Sequence, residues 1–210
     1  MIRIGNKAPE FIAGAVINGE EIVENFSLSQ YYGNKNVVFF FYPKDFTFVC
    51  PTELHAFEAM FGEFEKRDTV VVACSTDTEE SHLAWLNTPK DKGGIQGVKY
   101  PIVADTSKVI SVNYGSLGGE YQKDTFSGEL KFVGNPFAYR STFIIDKQGI
   151  VRHISHNDFP LGRNIAEYIR IVDAILHHEK HGEVCPANWS YGDEAMKESV
   201  ESVSNYLSTH

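Results

Sequence analysis

The sequence predicts an α/β layer fold: a mixed β-sheet flanked by helices, with a C-terminal arm. Three observations carry this prediction. Short apolar, β-rich runs alternate with segments of helical periodicity in the first half of the chain. A hairpin signal and a long amphipathic helix follow. The 210 residues, 42% of them hydrophobic, are enough for one domain of ordinary size with a sizeable core.

Residues 8 to 24 hold two apolar runs around Asn18-Gly19, a hairpin signal. Val37 to Tyr42 is a wholly apolar run bounded by Asn36 and Pro43, and reads as a buried strand. A helix is predicted from Cys50 to about Arg67, with Leu54, Phe57, Phe61 and Phe64 on one face. A strand over 69–74 and a helix from about Glu79 to Asn87, stopped by Pro89, come next. Tyr100 to Ala104 is a strand, and Thr106 to Tyr114 a short helix capped by Thr106 or Asp105. Gly115 to Phe137 is rich in Gly, Ser and Asn and reads as a loop, or a loop holding a small hairpin. Tyr139 to Asp146 and Ile150 to Ser155 are strands joined by a turn at Lys147-Gln148-Gly149. A helix follows from Asn164 to about His181, with Ile165, Ile169 and Val172 on one face. The polar tail carries one more helical pattern between Glu194 and Leu207. No stretch between residues 8 and 180 reads as a linker, so residues 1–181 are assigned to one domain and 182–210 to an arm.

Cys50 is the most informative residue. It lies between an apolar strand and the first turn of a helix, and Pro51 suits a first helical position because its missing N–H has no partner there anyway. The amides and dipole at a helix start favour an anion, and a thiolate is one. An ordinary thiol, with a pKa of about 8.5, is only about 3% ionised at neutral pH. Ionising most of it takes roughly 3.4 kcal/mol, of which the helix end supplies about 1–2 kcal/mol. A cation is therefore expected to fold onto Cys50. The bland alternative, an inert buried thiol, is the usual fate of a free cysteine. The flanking Pro, Thr and Glu favour a chemical role.

Net charge is −9 and the pI about 5.3, with no Lys/Arg-rich patch, so nucleic acid and anionic membranes are not expected partners. No apolar run approaches a membrane span, and the N-terminus has no apolar signal region, so a cytoplasmic location is expected. Three cysteines, Cys50, Cys74 and Cys185, do not make a disulfide framework. Cys74 ends an apolar strand and reads as inert. Cys50 and Cys185 share a Val-Cys-Pro signature and suggest a redox pair, although three identical residues can also coincide by chance.

Several segments match a known pattern. Pro43, Thr47 and Cys50 stand in the spacing P-x-x-x-T-x-x-C, followed by Pro51-Thr52-Glu53. His82 to Pro89, Phe143-Ile-Ile-Asp146, Asn157 to Arg163 and Gly182-Glu-Val-Cys185-Pro186 follow in the matching order. With these residues the chain resembles the typical two-cysteine peroxiredoxins, thiol peroxidases that include bacterial alkyl hydroperoxide reductase. The resemblance spans nearly the whole chain.

The resemblance implies a thioredoxin-like fold. It implies an antioxidant oxidoreductase that reduces hydrogen peroxide and alkyl hydroperoxides without metal or organic cofactor. It assigns Cys50 as the peroxidatic and Cys185 as the resolving cysteine, joined as a disulfide during the cycle. Arg140 becomes the cation beside Cys50, Thr47 the hydroxyl that orients peroxide, and Pro43 a shield against water. Glu53 and Arg163 form a supporting pair that aims Arg140. Thioredoxin or a dedicated disulfide reductase restores the thiols, and homodimers assemble to a decamer.

The chain departs from the pattern in two places. Gly93-Gly94-Ile95-Gln96 and Tyr206-Leu207 half-match two features of hyperoxidation-sensitive members, so intermediate resistance is expected. The segment between Tyr114 and Arg140 is longer than usual, and reads as an inert surface insertion because long surface insertions cost little. Two rival readings stand beside the peroxidase. A cysteine hydrolase needs a histidine base near Cys50, and no histidine lies in such a motif. A chaperone or redox relay would carry the same residues. His177 and His181 stand four apart on one helix, where histidines more often complement the helix dipole than bind metal.

Overall fold

The computed structural model describes residues 2–209. Seven strands form one mixed sheet in the order β2-β1-β5-β4-β3-β8-β9. They are β1 (Ala13–Ile17), β2 (Glu21–Phe26), β3 (Asn36–Phe41), β4 (Thr69–Ser75), β5 (Ile102–Ala104), β8 (Arg140–Ile145) and β9 (Val151–Asn157). The central strands β3, β4 and β5 are parallel; β1, β2, β8 and β9 join antiparallel. Parallel strands need crossovers, and the helical segments between β3 and β4 and between β4 and β5 provide them.

β3 is central because it is apolar on both faces and wholly buried. Side chains alternate across the sheet. Phe39 and Phe41 face a core with Tyr114 and Phe143, in edge-to-face contacts at 4.8 to 5.9 Å. Phe40 lies on the other side, stacked on Phe57 at 4.1 Å. That contact fixes α1 (Cys50–Ala59) against the sheet, and so fixes where Cys50 sits.

The expected helix from Cys50 to Arg67 is two helices. Met60, with ψ near 6°, separates α1 from α2 (Phe61–Glu65). Gly62, a poor helix former, follows the break. The helix after β5 is also shorter than expected. α4 spans Val109–Asn113 because Lys108 adopts a left-handed φ of 61°. Asp105 is its anchor, its carboxylate accepting the amides of Ile110 and Ser111 at 3.1 and 2.6 Å. α3 (Glu79–Leu86) is capped by Thr78, whose hydroxyl accepts the Ser81 amide.

The Gly-rich segment after Tyr114 forms a second sheet of two strands, β6 (Leu117–Lys123) and β7 (Leu130–Ala138). The turn between β8 and β9 needs Gly149, with φ 77° and a Cβ position 2.9 Å from the Tyr32 ring.

The chain divides into two compact units, one up to Ile165 and one from Ala166 onward. The second unit holds nearly all of α5 (Ile165–His181), and α6 (Val200–Thr209). Within it Val184 and Met196 form a β-bridge, and the Trp189 carbonyl accepts Arg170 at 2.9 Å. Among the described residues no helix is long and apolar enough to cross a membrane.

Candidate active site

β3 runs out at Tyr42 and buried Pro43, and a short loop leads to Cys50, the first residue of α1. Pro51 is thus the second helical residue, one later than its sequence suggested. A buried network anchors the loop. The Tyr42 hydroxyl donates to Asp45 at 2.7 Å, Ser81 donates to the same carboxylate at 2.8 Å, and His82 Nδ1 lies 2.8 Å from it. The Asp45 amide donates to Asp77 at 2.8 Å. Thr47 is half-buried, and its hydroxyl donates to the Lys44 carbonyl at 2.9 Å.

The cation demanded by the charge argument is present. Arg140, the first residue of β8, places Nη1 3.4 Å from Cys50 Sγ, and both residues are buried. Two acceptors hold the guanidinium. Nη1 donates to Glu53 Oε2 at 2.6 Å and Nε to the Phe159 carbonyl at 2.7 Å. Glu53 is shared. Arg163 donates to its Oε1 from Nε (2.8 Å) and from its own amide (3.0 Å), and to its Oε2 from Nη2 (3.0 Å). Arg163 also donates to the Phe41 and Ser141 carbonyls and stacks 4.7 Å above Phe40.

One carboxylate therefore sits between two guanidiniums, all three side chains at most 4% exposed. Buried charge is tolerated when it is paired and hydrogen-bonded, and here one carboxylate accepts from both guanidiniums. It ties α1, β8 and the 158–163 turn together around Cys50. The group at Cys50 is an arginine guanidinium, which offers N–H donors and no acceptor, so it cannot serve as the base a cysteine hydrolase needs.

The other cysteines differ. Cys74 is fully buried on β4, and burial pushes its thiol well above the ordinary range. Cys185 lies in the second unit, half-buried, with Sγ 3.8 Å from the Ala174 carbonyl. Burial raises its thiol, while Arg170 draws it down and Glu183 pushes it up. His177 binds Glu183 at 2.9 Å and packs near His181 and Trp189. Among the described residues no three His, Cys, Asp or Glu side chains group to hold a metal.

Similarity to known proteins agrees with this geometry. Residues 4–154 match the model of the AhpC/TSA family, and residues 174–209 that of the C-terminal domain of 1-Cys peroxiredoxin. The chain belongs to the AhpC/TSA family. It is a peroxiredoxin, a thiol-dependent peroxidase with a thioredoxin-like fold. Alkyl hydroperoxide reductase C of Helicobacter pylori is 46% identical over 95% of this chain and 93% of its own length. Peroxiredoxin-1 of Gallus gallus is 43% identical over 98% and 95%. The structure of reduced 2-Cys peroxiredoxin from Plasmodium vivax matches with a TM-score of 0.87, at 41% identity and 98% coverage of both chains.

Of the residues singled out by sequence, Cys50, Glu53, Arg140 and Arg163 stand in direct contact in this peroxiredoxin. Pro43 and Thr47 lie on the loop just before Cys50. Sequence reasoning missed the Phe159 carbonyl, which no side-chain motif could reveal. It also missed Asp45, whose signal was a lone carboxylate in the loop between β3 and α1.

Proposed function

We propose that Cys50 is the sulfur that reduces hydrogen peroxide and alkyl hydroperoxides, and that Cys185 resolves its oxidised form. The observation that carries this reading is the 3.4 Å contact between the Arg140 guanidinium and Cys50 Sγ. The Cys50 thiolate attacks one peroxide oxygen. The S–O bond forms as the O–O bond breaks, and the displaced oxygen takes a proton and leaves as water or alcohol. Cys50 becomes a sulfenic acid. Arg140 stabilises the charge as it moves from sulfur to the leaving oxygen. The Thr47 proton is committed to Lys44, so its hydroxyl oxygen meets peroxide as an acceptor and orients its O–H. Pro43 limits water around the sulfur. Glu53 and Arg163 keep the guanidinium aimed.

The Cys185 thiol then attacks the sulfenic sulfur, a disulfide forms and water departs. A dithiol of the thioredoxin kind, or a dedicated disulfide reductase, exchanges with this bond and returns both thiols. In this reading residues 1–181 are the peroxidase domain and 182–210 the arm that delivers Cys185. The unit of action is a homodimer with the disulfide running between subunits, and dimers assemble to a decamer. The cytoplasm, where thiols are kept reduced, suits three free cysteines.

One equivalent of hydrogen peroxide added to reduced protein is expected to give a dimer band on a non-reducing denaturing gel. Cys50→Ser and Cys185→Ser should each abolish it. Unconsumed peroxide with all bands monomeric would reject the peroxidase reading. Loss of reduced thiol without a dimer band would place the disulfide within one chain.

Hyperoxidation gives a second test. The half-matched Gly93-Gly94-Ile95-Gln96 and Tyr206-Leu207 segments lead us to expect sulfinic Cys50 to accumulate at peroxide levels above those of a sensitive relative. Intact mass after graded peroxide measures this. Sulfinic acid forming as readily as in the sensitive protein would reject it.

A further inference from the structure

We propose that the β6–β7 hairpin is a positioning element for the active site: through Gly118, Phe137 and Phe159 it sets the aim of Arg140 at Cys50. This rests on the role given to Arg140 above, and it replaces the expectation that the insertion is inert.

A two-stranded sheet is marginal on its own, so its base must be held by the body of the protein. The base contacts are definite. The Tyr139 amide donates to the Ser116 carbonyl at 2.7 Å, closing the hairpin at its root. Phe159 fills the space there. Its ring stacks on Tyr139 at 4.7 Å and meets Phe137 edge-on at 5.0 Å. Gly118 leaves room for that ring: a Cβ there would lie 3.0 Å from Phe159 Cζ and 2.9 Å from the Phe137 carbonyl. Both hairpin strands thus bear on one residue.

That residue carries an acceptor of the catalytic arginine. The Phe159 carbonyl takes Arg140 Nε at 2.7 Å. A guanidinium is rigid and planar, so the acceptor on Nε sets the direction in which Nη1 points. Nη1 points at Cys50 Sγ, 3.4 Å away. Glu53 also holds Nη1, but a bond to one carboxylate oxygen leaves the plane free to pivot. The aromatic packing of Phe159 removes that freedom, and misplacement by a fraction of an ångström is enough to slow a reaction that depends on alignment.

Single-turnover oxidation of the reduced, full-length protein by hydrogen peroxide tests this, in a double-mutant cycle. Phe159→Ala is expected to lower the second-order rate constant about tenfold in the native background. In an Arg140→Met background it should lower it less than twofold, because the group it positions is gone. Gly118→Ala, which displaces the same ring, should show the same dependence on Arg140 with a smaller loss, and serves if Phe159→Ala does not fold. An equal loss in both backgrounds, or no loss in the native one, overturns the proposal. The reading of Arg140 fails separately, if Arg140→Met alone reacts at the native rate.

Discussion

Arg140→Met is expected to slow the reaction of Cys50 with hydrogen peroxide by about 10²–10³-fold. The size follows from what the side chain does. It is a charged donor, 4% exposed, aimed at the Cys50 sulfur and held in place by Glu53 and the Phe159 carbonyl. Donors of this kind, preorganised in a site that excludes water, contribute about 3–4 kcal/mol to charge development in the transition state. Methionine fills similar space and carries no charge. The protein should remain folded, because Arg163 still pairs with both oxygens of Glu53. Arg140→Lys should recover part of the loss only. An ammonium supplies charge, but not a planar fork that reaches Phe159, Glu53 and Cys50 together. Stopped-flow oxidation of the reduced protein measures both variants. A Met variant within threefold of the native rate would remove Arg140 from the mechanism.

Glu53→Ala should be the most damaging change to stability. The Glu53 carboxylate, at 2% side-chain exposure, accepts four N–H bonds, one from Arg140 and three from Arg163. Its removal leaves two buried guanidiniums with no counter-charge between them. Breaking a buried ion pair in this way costs about 3–5 kcal/mol, against a total stability of about 5–15 kcal/mol for a typical domain. The expected consequence is a fall in Tm of roughly 10 °C. Glu53→Gln should fall less, because the amide oxygen still accepts from one arginine. Peroxide reactivity should drop in both, since Arg140 loses the carboxylate that holds Nη1. Thermal unfolding of reduced Glu53→Ala and Glu53→Gln decides the matter. An unchanged midpoint for the alanine variant would show that the triad contributes nothing to stability.

These two residues also mark how far the sequence could be read. Cys50 announced itself through Pro51 and the apolar strand before it, and the need for a nearby cation followed from the ionisation of a thiol. Which cation, and who holds it, came from resemblance rather than from local physics. Glu53 on its own reads as a first-turn carboxylate helping a helix start. Its burial between Arg140 and Arg163 depends on contacts across about a hundred residues of chain, which no local pattern contains. The Gly-rich segment after Tyr114 was ambiguous for a related reason. Its strands satisfy each other and not the main sheet, so their alternation is weak, with Tyr121, Leu130 and Val133 exposed. The break at Met60 was hidden because the apolar spacing of Phe57, Phe61 and Phe64 continues through it.

By itself the sequence determined the alternation of strands and helices, the burial of the 36–42 strand and the start of a helix at Cys50. These depend on apolar periodicity and on proline and glycine geometry, which act over a few residues. The tertiary structure decided the strand order, the meeting of Arg140 with Cys50, the sharing of Glu53 and the seat of the hairpin on Phe159. These depend on which distant groups pack together. A buried charge finds its partner only once the sheet has brought β8, α1 and the 158–163 turn to the same place.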